Sequence, residues 1–299
     1  AGDALGVYPE NCFGLVSEIL SLLHATGGEI AMYRTQLICE LDIIKPTDEL
    51  LELMQANATD EADKTMLGKL LDSEEVDGLP AEPQVIDLLS HFESIKLSVK
   101  DFVTTLLPMS PRLYSISSSP KAYPDEVHLT VGVVEYEMAG RKRKGVASTY
   151  LGQRVHQHQP VRVFVQPSHG FAPPTDLNAP MIMVGPGTGI APFRAFLQDR
   201  KADNATGKNW LFFGDQHEAS DFLYRDELEQ YAADGYLHQL STAFSRDSDQ
   251  KVYVQNRMME HAAELWQWIS ESGHFYVCGD ARRMAKDVDT ALHTIIEQQ

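Results

Sequence analysis

The stretch "MIMVGPGTGIAPFRAF", Met181 to Phe196, constrains this chain more than any other. An apolar run enters a turn holding Gly185, Gly187 and Gly189 and leaves as a helical pattern, with Pro192 placed for a first helical turn. A strand, turn and helix in this order predict an α/β unit built on a parallel sheet. Without side chains at the turn a ligand can approach the main chain, and the helix amino end offers free N–H groups and a positive dipole to an anion. Thr188 adds a hydroxyl. This is neither the G-x-G-x-x-G fingerprint nor a Walker loop, because no GK[ST] follows. Alone, it reads equally well as a structural turn; its place after the first strand of an α/β unit favours a pyrophosphate site.

The rest of the segment 179–299 keeps alternating, with candidate strands at 181–184, 210–213, 237–244 and 274–277 and helical patterns between them. "VQNRMMEHAAELWQWI" is expected to be one helix. Ligands of such sheets sit at the carboxyl ends of the strands, where the motifs of this segment gather: Gly185–Gly189, Gly214, Ser245-Arg246 and Cys278-Gly279-Asp280. "SRDSDQKVYVQ" groups Ser245, Arg246, Lys251, Tyr253 and Gln255. Guanidinium, ammonium and hydroxyl donors beside an aromatic ring suit an adenosine 2′-phosphate, although such a run is also a common polar turn. Cys278 is either a packed small thiol or part of a nicotinamide pocket, and Asp280 can cap the helix that follows.

Upstream the texture changes. To about Thr105 the chain reads as mainly helical; "GLVSEILSLLHATGG" is expected to stop at Gly27-Gly28. From Leu106 to Asn178, "EVHLTVGVVEY" and "PVRVFVQ" are β-rich runs without long helices between them, which argues for an antiparallel barrel or sandwich. In "PRLYSISSSP", Arg112 can neutralise a phosphate, Tyr114 offers a stacking face and Ser115 a donor. "GVASTYL" resembles a second helix amino end, Gly145 to Ser148, with Ser148 as its cap. Two pyrophosphate sites suggest two dinucleotides.

Composition narrows the function classes. A net charge of −18 disfavours nucleic acid and anionic membrane as partners. It describes either a solvated surface or an acidic face for a basic partner. "RKRKG", Arg141 to Gly145, is a solvated hairpin or phosphate-proximal charge. No apolar run reaches the ~18 residues of a membrane helix. The 3 cysteines are too few and too scattered for a disulfide framework or a metal site, so no metal and a cytoplasmic location are expected.

Together "RLYS", "TVGVVEY", "GVAS", "GPGTGIAPFRAF", "SRD…KVYVQ" and "YVCGDARRMAKDV" resemble the ferredoxin–NADP reductase superfamily. More narrowly they resemble the reductase half of the diflavin reductases, of the NADPH–sulfite reductase type, and "GDALGVYPEN" shares the likeness. The resemblance covers nearly the whole chain. It implies a remnant of an FAD barrel at 1–11, a helical connecting domain at 12–105, an antiparallel FAD-binding β-barrel at 106–178 and an α/β NADP-binding domain at 179–299.

By motif, the resemblance also assigns roles. FAD would be held by Arg112, Leu113, Tyr114 and Ser115, by Thr130, Val131, Gly132 and Tyr136, and by Gly145, Val146, Ala147 and Ser148. Arg112 would take the phosphates, Tyr114 the isoalloxazine and Tyr136 the adenine. NADPH would be held by Gly185, Gly187, Thr188 and Gly189, by Ser245, Arg246, Lys251, Val252, Tyr253, Val254 and Gln255, and by Asp287. Ser115 near flavin N5 and Cys278 near the nicotinamide would be the catalytic pair. Hydride would pass from NADPH to FAD, and single electrons then towards a flavodoxin-like FMN domain and a haemoprotein acceptor, in this type a sulfite reductase. That FMN domain and the opening barrel strands would precede residue 1, and an aromatic-ended tail would follow Gln299. The rival readings are a diflavin system serving a haem monooxygenase or nitrate reduction, and a non-catalytic docking module of the same fold.

Overall fold

The structure, a computed structural model, describes residues 1–298 and divides into two compact units. The first joins Ala1–Leu5, Leu113–Val131 and the chain from Val165 onward; the second joins Gly6–Arg112 and Gly132–Phe164. The strands are β1 Ala4–Val7, β2 Arg112–Ser115, β3 Glu135–Met138, β4 Arg141–Lys144, β5 Val163–Gln166, β6 Met181–Val184, β7 Asn209–Asp215, β8 Gln239–Phe244 and β9 His274–Val277. They form a sheet of order β2-β1-β5, a β3-β4 hairpin and a sheet of order β8-β7-β6-β9.

In the second unit the helices Phe13–Leu22, Gly27–Cys39, Asp48–Asn57, Glu61–Leu71, Val85–His91 and Val99–Thr104 enclose one core that includes Ile19, Leu37, Leu50, Met54 and Phe102. Gly27 and Gly28 open a helix instead of closing one. Thr26 caps it and its Oγ accepts from the Glu29 N–H, while Glu29 Oε2 accepts from the Thr26 N–H at 2.9 Å. That reciprocal box decides the helix start, because glycine stops a helix only where no following signal restarts it. The β3-β4 ribbon pairs Glu135 with Lys144 and Met138 with Arg141, turning through Ala139 (φ 52°) and Gly140 (φ 69°). Two left-handed residues match the strand twist, which is why glycine is useful there. The run before it, "EVHLTVGV", is mostly not strand. Ile116 bridges Leu129, but the His128 N–H donates to Ser118 Oγ at 3.0 Å, a side chain taking a bond that a longer ladder would use.

In the first unit β6, β7, β8 and β9 are all parallel. Met181, Ile182, Met183 and Val184 are each fully buried, as expected of a strand covered on both faces. Ile182 and Val184 join Trp210 and Phe212 in one core; Met181 and Met183 join Leu211 and Phe213 in the other. Helices Ala191–Ala202, Arg225–Ala233, Val254–Glu260, Ala262–Ser270 and Met284–Glu297 cover the sheet. The single helix expected over 254–269 is broken at His261 (φ −108°, ψ 25°), whose ring meets Trp210 edge-on at 5.7 Å. The bend lets Val254 and Met258 before it, and Leu265 and Trp268 after it, all reach the core. From β6 the chain runs to β7 and β8 on one side, then returns to β9 on the other. The order therefore switches between β6 and β9, where doubly wound sheets open a crevice. Among the described residues no helix is long and apolar enough to cross a membrane.

Candidate functional site

At that switch point the glycine-rich turn leaves β6 and Cys278 leaves β9. Gly185 donates its N–H to the Phe212 carbonyl at 3.0 Å. Gly187 has φ 55° and opens the short helix Gly187–Ile190, which leads into Ala191–Ala202 with Pro192 in its first turn. A Cβ on Gly189 would stand 2.2 Å from the Cys278 carbonyl oxygen, so the two strand exits touch through bare backbone. Thr188 is exposed at the turn.

Burial pushes the Cys278 thiol above its ordinary pKa, and a hydrogen bond with the Ser115 side chain offsets part of the rise. The fold thus brings together the two side chains singled out for chemistry, one from the end of β2 and one from the exit of β9. Tyr114 precedes Ser115 and is half-buried. Thr130 shares a 2.7 Å hydroxyl–hydroxyl bond with Tyr224, a residue held at φ 58°. Val131 is half-buried beside it in sequence.

A cleft of about 530 Å³ opens along the carboxyl ends of β6, β7 and β8. Of the sequence-expected nucleotide residues, Gly187, Ser245, Tyr253, Val254, Gln255 and Asp287 line it; Gly185, Thr188, Gly189, Arg246, Lys251 and Val252 do not. Arg246 and Lys251 are exposed on the loop between Ser245 and Tyr253, and Gln255 Nε2 donates to Asp287 at 3.4 Å. Asp280 does not cap the last helix directly: its carboxylate accepts from the Arg282 N–H at 2.9 Å, one turn early. Asp215, Gln216 and Arg283 also line the cleft and were not singled out from sequence. Burial raises the Asp215 carboxyl above its usual pKa, partly offset by the Gln216 N–H. "FFGDQ" could have pointed to Asp215 and Gln216, since they follow a strand end directly.

In the second unit Arg112 is exposed at the start of β2, and Gly132 is exposed. Tyr136 lies on β3 opposite Arg143, half-exposed, and its hydroxyl accepts from Gln84 Nε2 at 3.5 Å. The helix Val146–Thr149 begins after Gly145, with Ala147 and Ser148 buried. Ser148 is not its cap: the Oγ accepts from the Val134 N–H at 3.1 Å, and Gly145 occupies the capping position. Arg143 of the basic run is buried and paired with Asp87 rather than free for a phosphate. Leu113, in the first unit, is exposed.

These groups fit the two nucleotides in kind. A Gly187 without a side chain, a helix amino end and an open cleft suit a pyrophosphate and adenosine, and the first N–H groups of Val146–Thr149 have no partner within their own turn. Among the described residues no three His, Cys, Asp or Glu side chains are grouped to hold a metal ion.

Comparison with known proteins agrees. A family model described as an FAD binding domain matches residues 28–150, and one described as an oxidoreductase NAD-binding domain matches residues 183–290. A "Sulfite reductase [NADPH] flavoprotein alpha-component" of Mannheimia succiniciproducens is 46% identical over 307 residues, covering 100% of this chain and 51% of the relative. That of Neisseria meningitidis serogroup A is 46% identical over 303 residues, covering 99% and 49%, and that of Shigella flexneri 43% over 301, covering 99% and 50%. The chain spans about half the length of the curated relatives it matches. The chain thus carries an FAD-binding segment followed by an oxidoreductase NAD-binding segment, and along nearly its whole length it is 43–46% identical to sulfite reductase flavoprotein alpha-components.

Proposed function

We propose that this module takes hydride from NADPH onto FAD and forwards electrons within a cytoplasmic sulfite reductase flavoprotein. The observation that carries the reading is the glycine-rich turn at the switch point of a parallel sheet, where bare Gly189 backbone meets Cys278 and a cleft lined by Gly187, Ser245, Tyr253 and Gln255 opens. Bound FAD would supply the conversion of a two-electron donor into a one-electron source. The residues do the rest. Gly187 and the amino end of Ala191–Ala202 would seat the nicotinamide nucleotide's pyrophosphate. Ser245, Arg246, Lys251 and Tyr253 would hold its adenosine 2′-phosphate, with Arg283 at the cleft wall. Cys278 would pack the nicotinamide side, kept as a thiol by its burial. The Ser115 hydroxyl would donate where negative charge develops.

Arg112, Leu113 and Tyr114, the 130–136 segment and Gly145–Ser148 would bind FAD, and strands of the 106–178 segment would belong to a closed antiparallel barrel. The same reading keeps the division 1–11, 12–105, 106–178 and 179–299. It also includes an FMN domain elsewhere in the full protein and a haemoprotein acceptor, and the relatives' name supports NADPH and sulfite reduction. Calorimetric titration of the chain with 2′,5′-ADP and with 5′-AMP tests the nucleotide assignment. Tight binding of the first alone supports NADPH; equal affinities, or none, contradict it.

A further inference from the structure

Arg194 has no part in the roles assigned above, yet it is nine-tenths buried and makes more polar contacts than a structural helix residue requires. It lies within Ala191–Ala202, one turn beyond the glycine-rich turn. Its Nε donates to Glu227 Oε2 at 2.7 Å, and Nη1 donates to the Ser117 carbonyl at 2.9 Å and to His128 Nδ1 at 3.1 Å. Arginine has only donors, so Nδ1 must accept; the opposite ring nitrogen then carries the proton and donates to Glu126 at 2.8 Å. The guanidinium also lies 4.6 Å from the ring centroid of Tyr224, whose hydroxyl meets Thr130.

The placement of these partners is what matters. Ser117 follows Ser115 by two residues, and His128 precedes Thr130 by two. One planar fork therefore ties both segments to the helix that begins at the nucleotide turn, and Tyr224 is held in a left-handed conformation that a tyrosine seldom adopts. Lysine carries its donors on one atom, so it could serve the Ser117 and His128 acceptors or Glu227 but could not span both as the planar fork does.

We infer that Arg194 is a positioning residue for hydride transfer: it fixes the Ser115 and Thr130 segments against the helix Ala191–Ala202 that follows the glycine-rich turn, and so sets how Ser115 meets Cys278. The inference rests on the proposed function. Its test uses Arg194→Lys and Ser115→Ala beside the parent chain, each loaded with FAD. Three quantities are read: 2′,5′-ADP affinity, the anaerobic flavin reduction rate at saturating NADPH, and, without flavin, the pH midpoint of Cys278 alkylation followed by peptide mapping.

Arg194→Lys should bind 2′,5′-ADP like the parent, reduce flavin about tenfold more slowly, and shift the Cys278 midpoint upward towards that of Ser115→Ala. A parent-like rate together with a parent-like midpoint overturns the inference. So does a slower rate explained wholly by lost FAD or lost nucleotide affinity. If Arg194→Lys does not fold, Glu227→Gln, which keeps an acceptor oxygen but removes the charge facing Nε, carries the same test with the same outcomes. A parent chain that NADPH does not reduce sinks the proposed function alone, and the alkylation midpoint then still decides the role of Arg194.

Discussion

At the scale of single residues the account makes distinguishable claims about binding and chemistry. Ser115→Ala should keep its FAD and slow single-turnover reduction about tenfold or more, a loss of ~1.4 kcal/mol in transition-state stabilisation. Unchanged reduction under those conditions removes Ser115 from the chemistry. Arg246→Ala should weaken NADPH use about tenfold and leave NADH nearly untouched, because a charge-assisted bond to the 2′-phosphate is worth ~1.5–3 kcal/mol. Equal losses with both cofactors would show a structural effect instead. Cys278 has a sign to check. Its folded pKa is raised, so folding favours the protonated thiol, and the stability this gives is complete below the unfolded thiol pKa. It is lost as the pH rises through the folded value. Cys278→Ser should therefore flatten the decline in stability on the alkaline side, measured by urea unfolding across that range.

At the scale of elements, the strand exits of the parallel sheet depend on glycine for different reasons. A Cβ at Gly189 meets the Cys278 carbonyl at 2.2 Å, whereas at Gly187 the nearest atom is 3.7 Å away but φ is 55°. Gly189→Ala should thus separate β6's exit from β9's, destabilising the fold by roughly 1–3 kcal/mol and weakening 2′,5′-ADP. Gly187→Ala should cost about 1–2 kcal/mol of backbone strain, with less displacement. Thermal denaturation and titration of both variants check the contrast. The Thr26–Glu29 box adds a pH effect of opposite sign to that of Cys278. The Thr26 N–H holds the Glu29 carboxyl below its usual pKa, so its contribution is present above the unfolded carboxylate pKa and fades as pH falls through the folded one. Elements were legible where a local signal was unopposed: "MIMV" gave β6 its bounds, and Pro192 marked its helix. Thr26-x-x-Glu29 was equally local, but the glycines after Thr26 invited the opposite reading. The break at His261 was not legible, since neither Gly nor Pro marks it and Trp210, distant in sequence, shapes the turn.

At the scale of the whole molecule, sequence order and spatial assembly carry different information. The order of motifs was enough to name two nucleotide-binding segments, and the family matches at 28–150 and 183–290 follow that order. The nearness of Ser115 to Cys278 was not legible, because the residues between them read locally as separate elements; the resemblance placed the first near the flavin and the second near the nicotinamide. Asp215 and Arg283 enter the cleft only once β6, β7 and β8 align their ends, and Arg194's fork exists only once the 117–130 segment lies on its helix. The central claim, that NADPH reduces FAD on this module, is tested most directly by anaerobic stopped-flow mixing of the FAD-loaded chain with NADPH, C4-deuterated NADPH and NADH, following flavin absorbance. The account predicts rapid bleaching with NADPH, a slower trace with the deuterated form, and about tenfold or slower reduction by NADH at equal concentration. Flavin that stays oxidised with NADPH, or that bleaches equally fast with NADH, contradicts it.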